Sequence, residues 1–350
     1  MDDLQLLREM RSDIGSAPQA TLARGRNTLM ATIGSTSRPD AMTGPNAPTK
    51  VSPIRHRVLM ASAAAALLVG GIVAADVVVP GRPGATAEAA EILNHAAAAT
   101  IQSSDPVVAP GQYLKIDTTA MYGHSSVAAD GTQAFWLEKT GGQVYVPADR
   151  NGEWVWNRED RVPATFFSEA SKVAAAKMEE SLAKDPGVSL VGIQRAPRGA
   201  FYGSEQTVLN GMLLDQISGL PRDPRALLDV ILERTKGAGP SPEMEALITV
   251  ADTLRTSVVP AELRAALYKA AALIPGVTVV DKQATLNGKT GVALGIQSPD
   301  GGARQEIIID PANGLMIGER DVALRATADF PAGTATAWTA VQTSVVDSAP

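Results

Sequence analysis

Residues 277–324 read VTVVDKQATLNGKTGVALGIQSPDGGARQEIIIDPANGLMIGERDVAL, and this stretch decides the fold class. Four runs rich in β-branched and apolar residues, 277–285, 290–297, 305–310 and 315–324, are divided by Asn287-Gly288, Asp300-Gly301-Gly302 and Asn313-Gly314. Asn-Gly and Asp-Gly pairs supply the backbone dihedrals that tight hairpins require, so the spacing predicts an antiparallel meander.

Upstream of the meander the pattern is helical. Asp223-Pro224 and Ser241-Pro242-Glu243 each place an N-cap side chain before a proline at the first helical position, opening predicted helices over 225–236 and 244–256. Pro260 starts another that runs to 274, and two earlier helices are expected over 165–184 and 207–218, each stopped by Gly and Pro. Further upstream, strand-like runs at 113–116, 134–137, 144–146 and 153–156 are divided by turn signals such as Asp130-Gly131 and Gly141-Gly142. A helix is predicted over 87–102, and 338–346 reads as one more strand. Strands, helices and strands in blocks, without βα alternation, indicate an α+β domain: a mostly antiparallel sheet packed against several helices.

Ahead of this domain lies 58–75, an alanine-rich stretch without a charge that Val77, Val78 and Val79 extend past Asp76 before Pro80 stops it. Its length matches a hydrocarbon core, so 58–79 is read as one transmembrane helix. A buried core helix would carry a polar stripe. A cleaved signal peptide would follow a short basic region, not the 57 residues that precede this run. Arg38, Lys50, Arg55 and Arg57 flank it on the N-terminal side against Arg82 on the other, which keeps the N-terminus cytoplasmic and sends the C-terminal domain across the membrane.

Four regions follow from this topology. Residues 1–33 form a cytoplasmic amphipathic helical segment, in which Leu4, Leu7 and Met10, then Leu22 and Leu29, recur at helical spacing as candidate contacts for a cytoplasmic protein. Residues 34–57 are a Pro/Ser/Thr-rich linker ending in the basic flank, 58–79 the span, and 80–350 the extracytoplasmic domain.

Composition narrows the chemistry. The first 57 residues hold 8 of the 31 basic and 5 of the 37 acidic side chains, a net +3 against −9 for the remainder, so the main body lacks the positive face that nucleic acid needs. The absence of cysteine removes disulfides, thiolate metal sites and Cys nucleophiles. Only 4 % of the chain is aromatic, yet Trp136, Trp154 and Trp156 fall in one strand-rich stretch, and Trp154 and Trp156 share a sheet face by parity. They are either core between sheet and helices or the wall of an apolar groove for a lipid or peptide.

Catalytic motifs do not survive inspection. His56, His95 and His124 stand apart from one another without metal-ligand spacing. Gly288-Lys289-Thr290 resembles the end of a phosphate loop, but Gln283 stands where its first glycine belongs. Ser181-Leu182-Ala183-Lys184 with Lys289-Thr290-Gly291 matches two elements of the penicillin-recognising serine enzymes, and the third is missing. The expectation is therefore a protein that is not an enzyme, with no catalytic, cofactor-binding or metal-binding residues.

Four segments carry a family resemblance: the opening Met1-Asp2-Asp3-Leu4-Gln5-Leu6-Leu7-Arg8-Glu9, Leu220-Pro221-Arg222-Asp223-Pro224, Ile274-Pro275-Gly276-Val277, and Ile308-Ile309-Asp310-Pro311-Ala312-Asn313-Gly314. With them the chain resembles an uncharacterised actinobacterial family of single-span membrane proteins named only after a locus tag. The layout is similar to membrane-bound anti-sigma factors, although the His/Cys zinc motif of one anti-sigma class is absent. The resemblance implies a sensor or binding domain outside the membrane coupled to a cytoplasmic partner such as a sigma factor. The alternatives are an envelope lipid or lipoprotein carrier-like domain and a membrane-anchored hydrolase.

Overall fold

Turn and cap chemistry sets the element boundaries. The computed structural model describes residues 84–103, 105–127, 131, 133–184, 190–205, 207–209 and 211–350. The predicted tail, linker and span, with Leu4, Leu7, Met10, Leu22 and Leu29, lie outside the described residues. Among the described residues no helix is long and apolar enough to cross a membrane.

In chain order the elements are α1 (Ala87–Ser103), β1 (Tyr113–Val127), β2 (Gln133–Pro147), β3 (Glu153–Arg158), β4 (Val162–Phe166), α2 (Glu169–Lys184) and β5 (Gly192–Pro197). There follow β6 (Thr207–Val208), β7 (Met212–Leu213), a 3-10 turn (Leu214–Gly219), α3 (Pro224–Arg234), α4 (Pro242–Arg255) and α5 (Ala261–Ala271). The chain ends with β8 (Thr278–Leu286), β9 (Lys289–Gln297), β10 (Ala303–Asp310), β11 (Leu315–Ala323) and β12 (Ala335–Val346). The domain is α+β, its large sheet antiparallel in every recorded pairing.

The meander forms as its turns dictate. Asn287 and Gly288 both hold positive φ, 47° and 79°, the pairing that matches strand twist in a two-residue hairpin. The two proline-led helices are capped as expected: Asp223 accepts from the Ala226 N–H at 2.8 Å and Ser241 from the Met244 N–H at 3.1 Å. The stretch 207–218 departs from the prediction. It forms a two-rung hairpin and a 3-10 turn where a helix is expected, with Gly211 at φ +81° turning the chain between β6 and β7.

The main sheet runs β5-β3-β2-β1-β12-β11-β10-β9-β8, with β4 pairing β2 as a branch. The last strand is thus central. It joins the N-terminal half of the sheet to the C-terminal meander, holding β1 on one side and β11 on the other.

One face of the sheet carries the helices. Leu114, Ile116, Val146, Trp154, Leu294, Ile307 and Ile309 project from it into a single core with Leu247, Val250, Leu263 and Leu267 of α4 and α5. Each fully buried Leu or Ile adds roughly 2 kcal/mol, which is what fastens this layer. Ala89, Ala96 and Ala97 of α1 are fully buried, and side chains this small let it lie close against α5. The opposite face holds smaller clusters: Ala284, Leu286, Ala293, Ile308, Ile317 and Ala340 in one, and Met121, Phe135 and Leu137 with Phe167 and Phe330 in the other.

Candidate binding cleft

Alternation along β3 sends Trp154 and Trp156 to the helix-bearing face, and together they wall a groove of about 370 Å³. Trp154 is 2 % exposed and donates its Nε1–H to the Arg150 carbonyl at 3.0 Å, which fixes the indole in the core. Trp156 is half-buried. Its ring meets Phe201 at 5.4 Å and Tyr202 at 5.8 Å between centroids, and the Arg158 guanidinium lies 5.0 Å from its centroid. Val144 and Ile116 complete the apolar wall.

Trp136 belongs to another environment. It is fully buried in a cluster with Ala134 and with Ala175 of α2, stacked on His124 with centroids 4.4 Å apart. Its Nε1–H donates to Glu138 Oε1 at 3.1 Å, and that carboxylate, itself 2 % exposed, also faces His124 Nδ1 at 3.3 Å and Arg161 Nε at 3.7 Å. Burial of the carboxylate is compensated by those three partners, a structural role for the indole. The sequence groups the three tryptophans as one candidate groove wall; the structure brings Trp154 and Trp156 together and leaves Trp136 apart.

The groove has a charged end that the sequence did not single out. Asp252 and Arg255, one turn apart on α4, line it, and Arg255 reaches Asp252 at 2.6 Å and Glu319 of β11 at 2.8 Å. Gln305 donates to Glu319 at 3.3 Å. Burial pushes the Glu319 carboxyl up to about 7 against the pull of Arg255, with Asp252 and Asp321 adding to the rise. Asp321 is raised in the same direction, by burial and then by Asp252. The arrangement is a carboxylate cluster held by one guanidinium, able to bind a cationic or hydrogen-bonding group.

A larger cleft, about 800 Å³, opens where β11 and β12 part. Consecutive residues Val341, Gln342, Thr343 and Ser344 line one side and Leu315, Met316 and Ile317 the other, with Arg264 and Tyr268 of α5 beneath. Tyr268 is fully buried, and desolvation keeps its phenol neutral; the O–H donates to the Gly314 carbonyl at 3.0 Å. The segment 256–259 lies between the cavities, Thr256 and Val258 lining the groove and Ser257 and Val259 the cleft. Among the described residues no group of three His, Asp or Glu side chains is placed to hold a metal ion.

No known protein family matches this sequence, and no curated protein does. Two solved structures show slight similarity. One is the Pseudomonas aeruginosa MucA/MucB complex, at 12 % identity over 75 % of this chain, with a TM-score of 0.26; the match spans 59 % of that chain. The other is a DUF1329 family protein from Desulfovibrio piger, at 9 % identity over 73 % of this chain and 92 % of that one, with a TM-score of 0.17. At these scores the likeness decides neither the fold nor the ligand.

Proposed function

We propose that the described domain is a non-catalytic sensor or binding module, displayed outside the membrane on the 58–79 span and coupled through residues 1–33 to a cytoplasmic protein such as a sigma factor. The observation that carries the binding role is the groove beside Trp154 and Trp156, apolar along its aromatic wall and ionic at its Asp252–Arg255 end, where Glu319 backs Arg255 from behind. A cavity of this size with one apolar wall and one charged end suits an amphiphile, whose tail lies on the indoles and whose polar head meets α4. The same wall supports the carrier reading, in which an envelope lipid is held for transfer; a sensor differs in passing occupancy to the cytoplasmic segment.

The test is photolabelling of the full chain in lipid nanodiscs with a diazirine-bearing phosphatidylcholine, whose head carries a cation, mapped by mass spectrometry. Adducts on β3 around Trp156 and on residues 201–209 are expected. Labelling confined to the 58–79 segment would overturn the groove as a ligand site.

A further inference from the structure

The sheet contains an internal edge. β12 pairs with β1 from Ala337 to Val346, but with β11 only from Ala335 to Ala340. On the other side, β11 meets β10 through Leu315 and Met316, which have no β12 partner among the described residues. The cause is local. Ile308 pairs Gly318 and Ile309 pairs Met316, so Ile317 is an extra residue in β11, and a bulge bends its strand and ends the neighbouring ladder.

Residues of both parities, Val341 to Ser344 and Leu315 to Ile317, line the resulting cleft, so each strand turns its backbone edge toward it. Six residues of β12, 341–346, span about 20 Å of such edge. Bare edges are normally defended by charge, proline or bulges. The two outer edges follow that rule: β5 carries Arg195 and Pro197, and β8 is broken by two register shifts around Asp281. The internal edge does not, because β12, ATAWTAVQTSVV, has neither a charged residue nor a proline.

The floor supplies a second, independent observation. Arg264 is 8 % exposed and lines the cleft; its Nη1 serves Asp105 at 2.6 Å and the Val259 carbonyl at 2.8 Å, while its buried Nε–H has no acceptor. An orphaned guanidinium donor calls for an oxygen, above all a carboxylate. An acyl chain in this cleft would strip water from the strand edges without replacing its hydrogen bonds, at about 1–3 kcal/mol for each group.

We propose that the opening between β11 and β12 is a docking slot for an extended polypeptide segment that hydrogen-bonds to both strand edges and sets a carboxylate on Arg264. This is strand addition from within a sheet, with main-chain bonds giving affinity and the Arg264 contact giving register. It is independent of the amphiphile reading, since the groove and the slot have separate linings and separate tests.

The experiment pans a random dodecapeptide display library against the full chain in lipid nanodiscs, then maps the synthesised winners by amide hydrogen exchange. Enriched peptides should carry an acidic residue or depend on their free C-terminus, and should slow exchange at least tenfold at alternate amides of 341–346 and within 315–317. Arg264→Lys, which keeps the charge but loses the Nε–H, should weaken them about tenfold with the β1–β12 amides still protected. No enrichment over empty nanodiscs, or protection only elsewhere on the domain, overturns the proposal.

Discussion

Gly318 and Ala340 form the last rung of the β11–β12 ladder before the two strands separate. The rung is tight. A Cβ on Gly318 would overlap the Thr339 carbonyl oxygen and stand 2.6 Å from Leu286 Cδ2. Gly318→Ala is expected to destabilise the domain by about 2–3 kcal/mol, through overpacking against backbone that cannot withdraw. Denaturant unfolding of the full chain measures it, and wild-type stability would mean that the strands part earlier than Gly318.

Gly314 fastens the meander to the helices. Its carbonyl accepts from Thr100 Oγ1 at 2.9 Å and Tyr268 O–H at 3.0 Å, and at φ +67° it leaves no room for a side chain against Ala96 and Thr100 of α1. Gly314→Ala should cost roughly 3 kcal/mol or more, from left-handed strain plus collision. Tyr268→Phe should cost only about 1–2 kcal/mol, because Thr100 still satisfies the carbonyl. Chemical denaturation of both variants checks the order, and equal losses would contradict this division of roles.

Glu319 gives stability a pH dependence with a definite sign. Its folded value, about 7, lies above its ordinary 4.5, so the protonated form is the one the fold favours. The associated stability is complete below pH 4.5 and is lost as pH rises through 7, with Asp321 acting in the same direction. Glu319→Gln should therefore gain on the wild type between pH 5 and pH 8, by at most about 3 kcal/mol. Urea midpoints at the two pH values decide it; a constant difference would place Glu319 in contact with water.

The two groove tryptophans should separate stability from binding. Trp154→Phe removes the bond to Arg150 from a residue that is 2 % exposed, and a loss of about 2 kcal/mol is expected. Trp156→Ala, at a half-buried site, should lower phosphatidylcholine photolabelling of residues 201–209 several-fold while keeping the fold. Undiminished labelling in Trp156→Ala would remove that ring from the binding surface.

Local chemistry made part of this legible. The meander, the α+β class and the caps at Asp223 and Ser241 follow from short-range turn and cap residues, which act within three or four positions. The 207–218 helix failed because Leu209, Met212, Leu213 and Ile217 have helical spacing, whereas Gly211 at φ +81° and burial of Leu209 select a hairpin. Membership of one strand-rich stretch grouped Trp136 with Trp154 and Trp156 but said nothing of distance along the strand: Trp136 stands eight residues, roughly 27 Å, from Val144, the partner of Trp156. The central place of β12 and the rise of Glu319 both depend on encounters between distant segments, β1 with β12 and α4 with β11, and no local pattern encodes them.

The opening between β11 and β12 underlies the cleft and its proposed ligand, and amide exchange on the unliganded full chain tests it most directly. Along β12, amides of 337–340 should all exchange slowly. Those of 341–346 should alternate, slow where bonded to β1 and fast where they face the cleft. Uniform protection through 346 would mean that the edge is covered and would contradict the account.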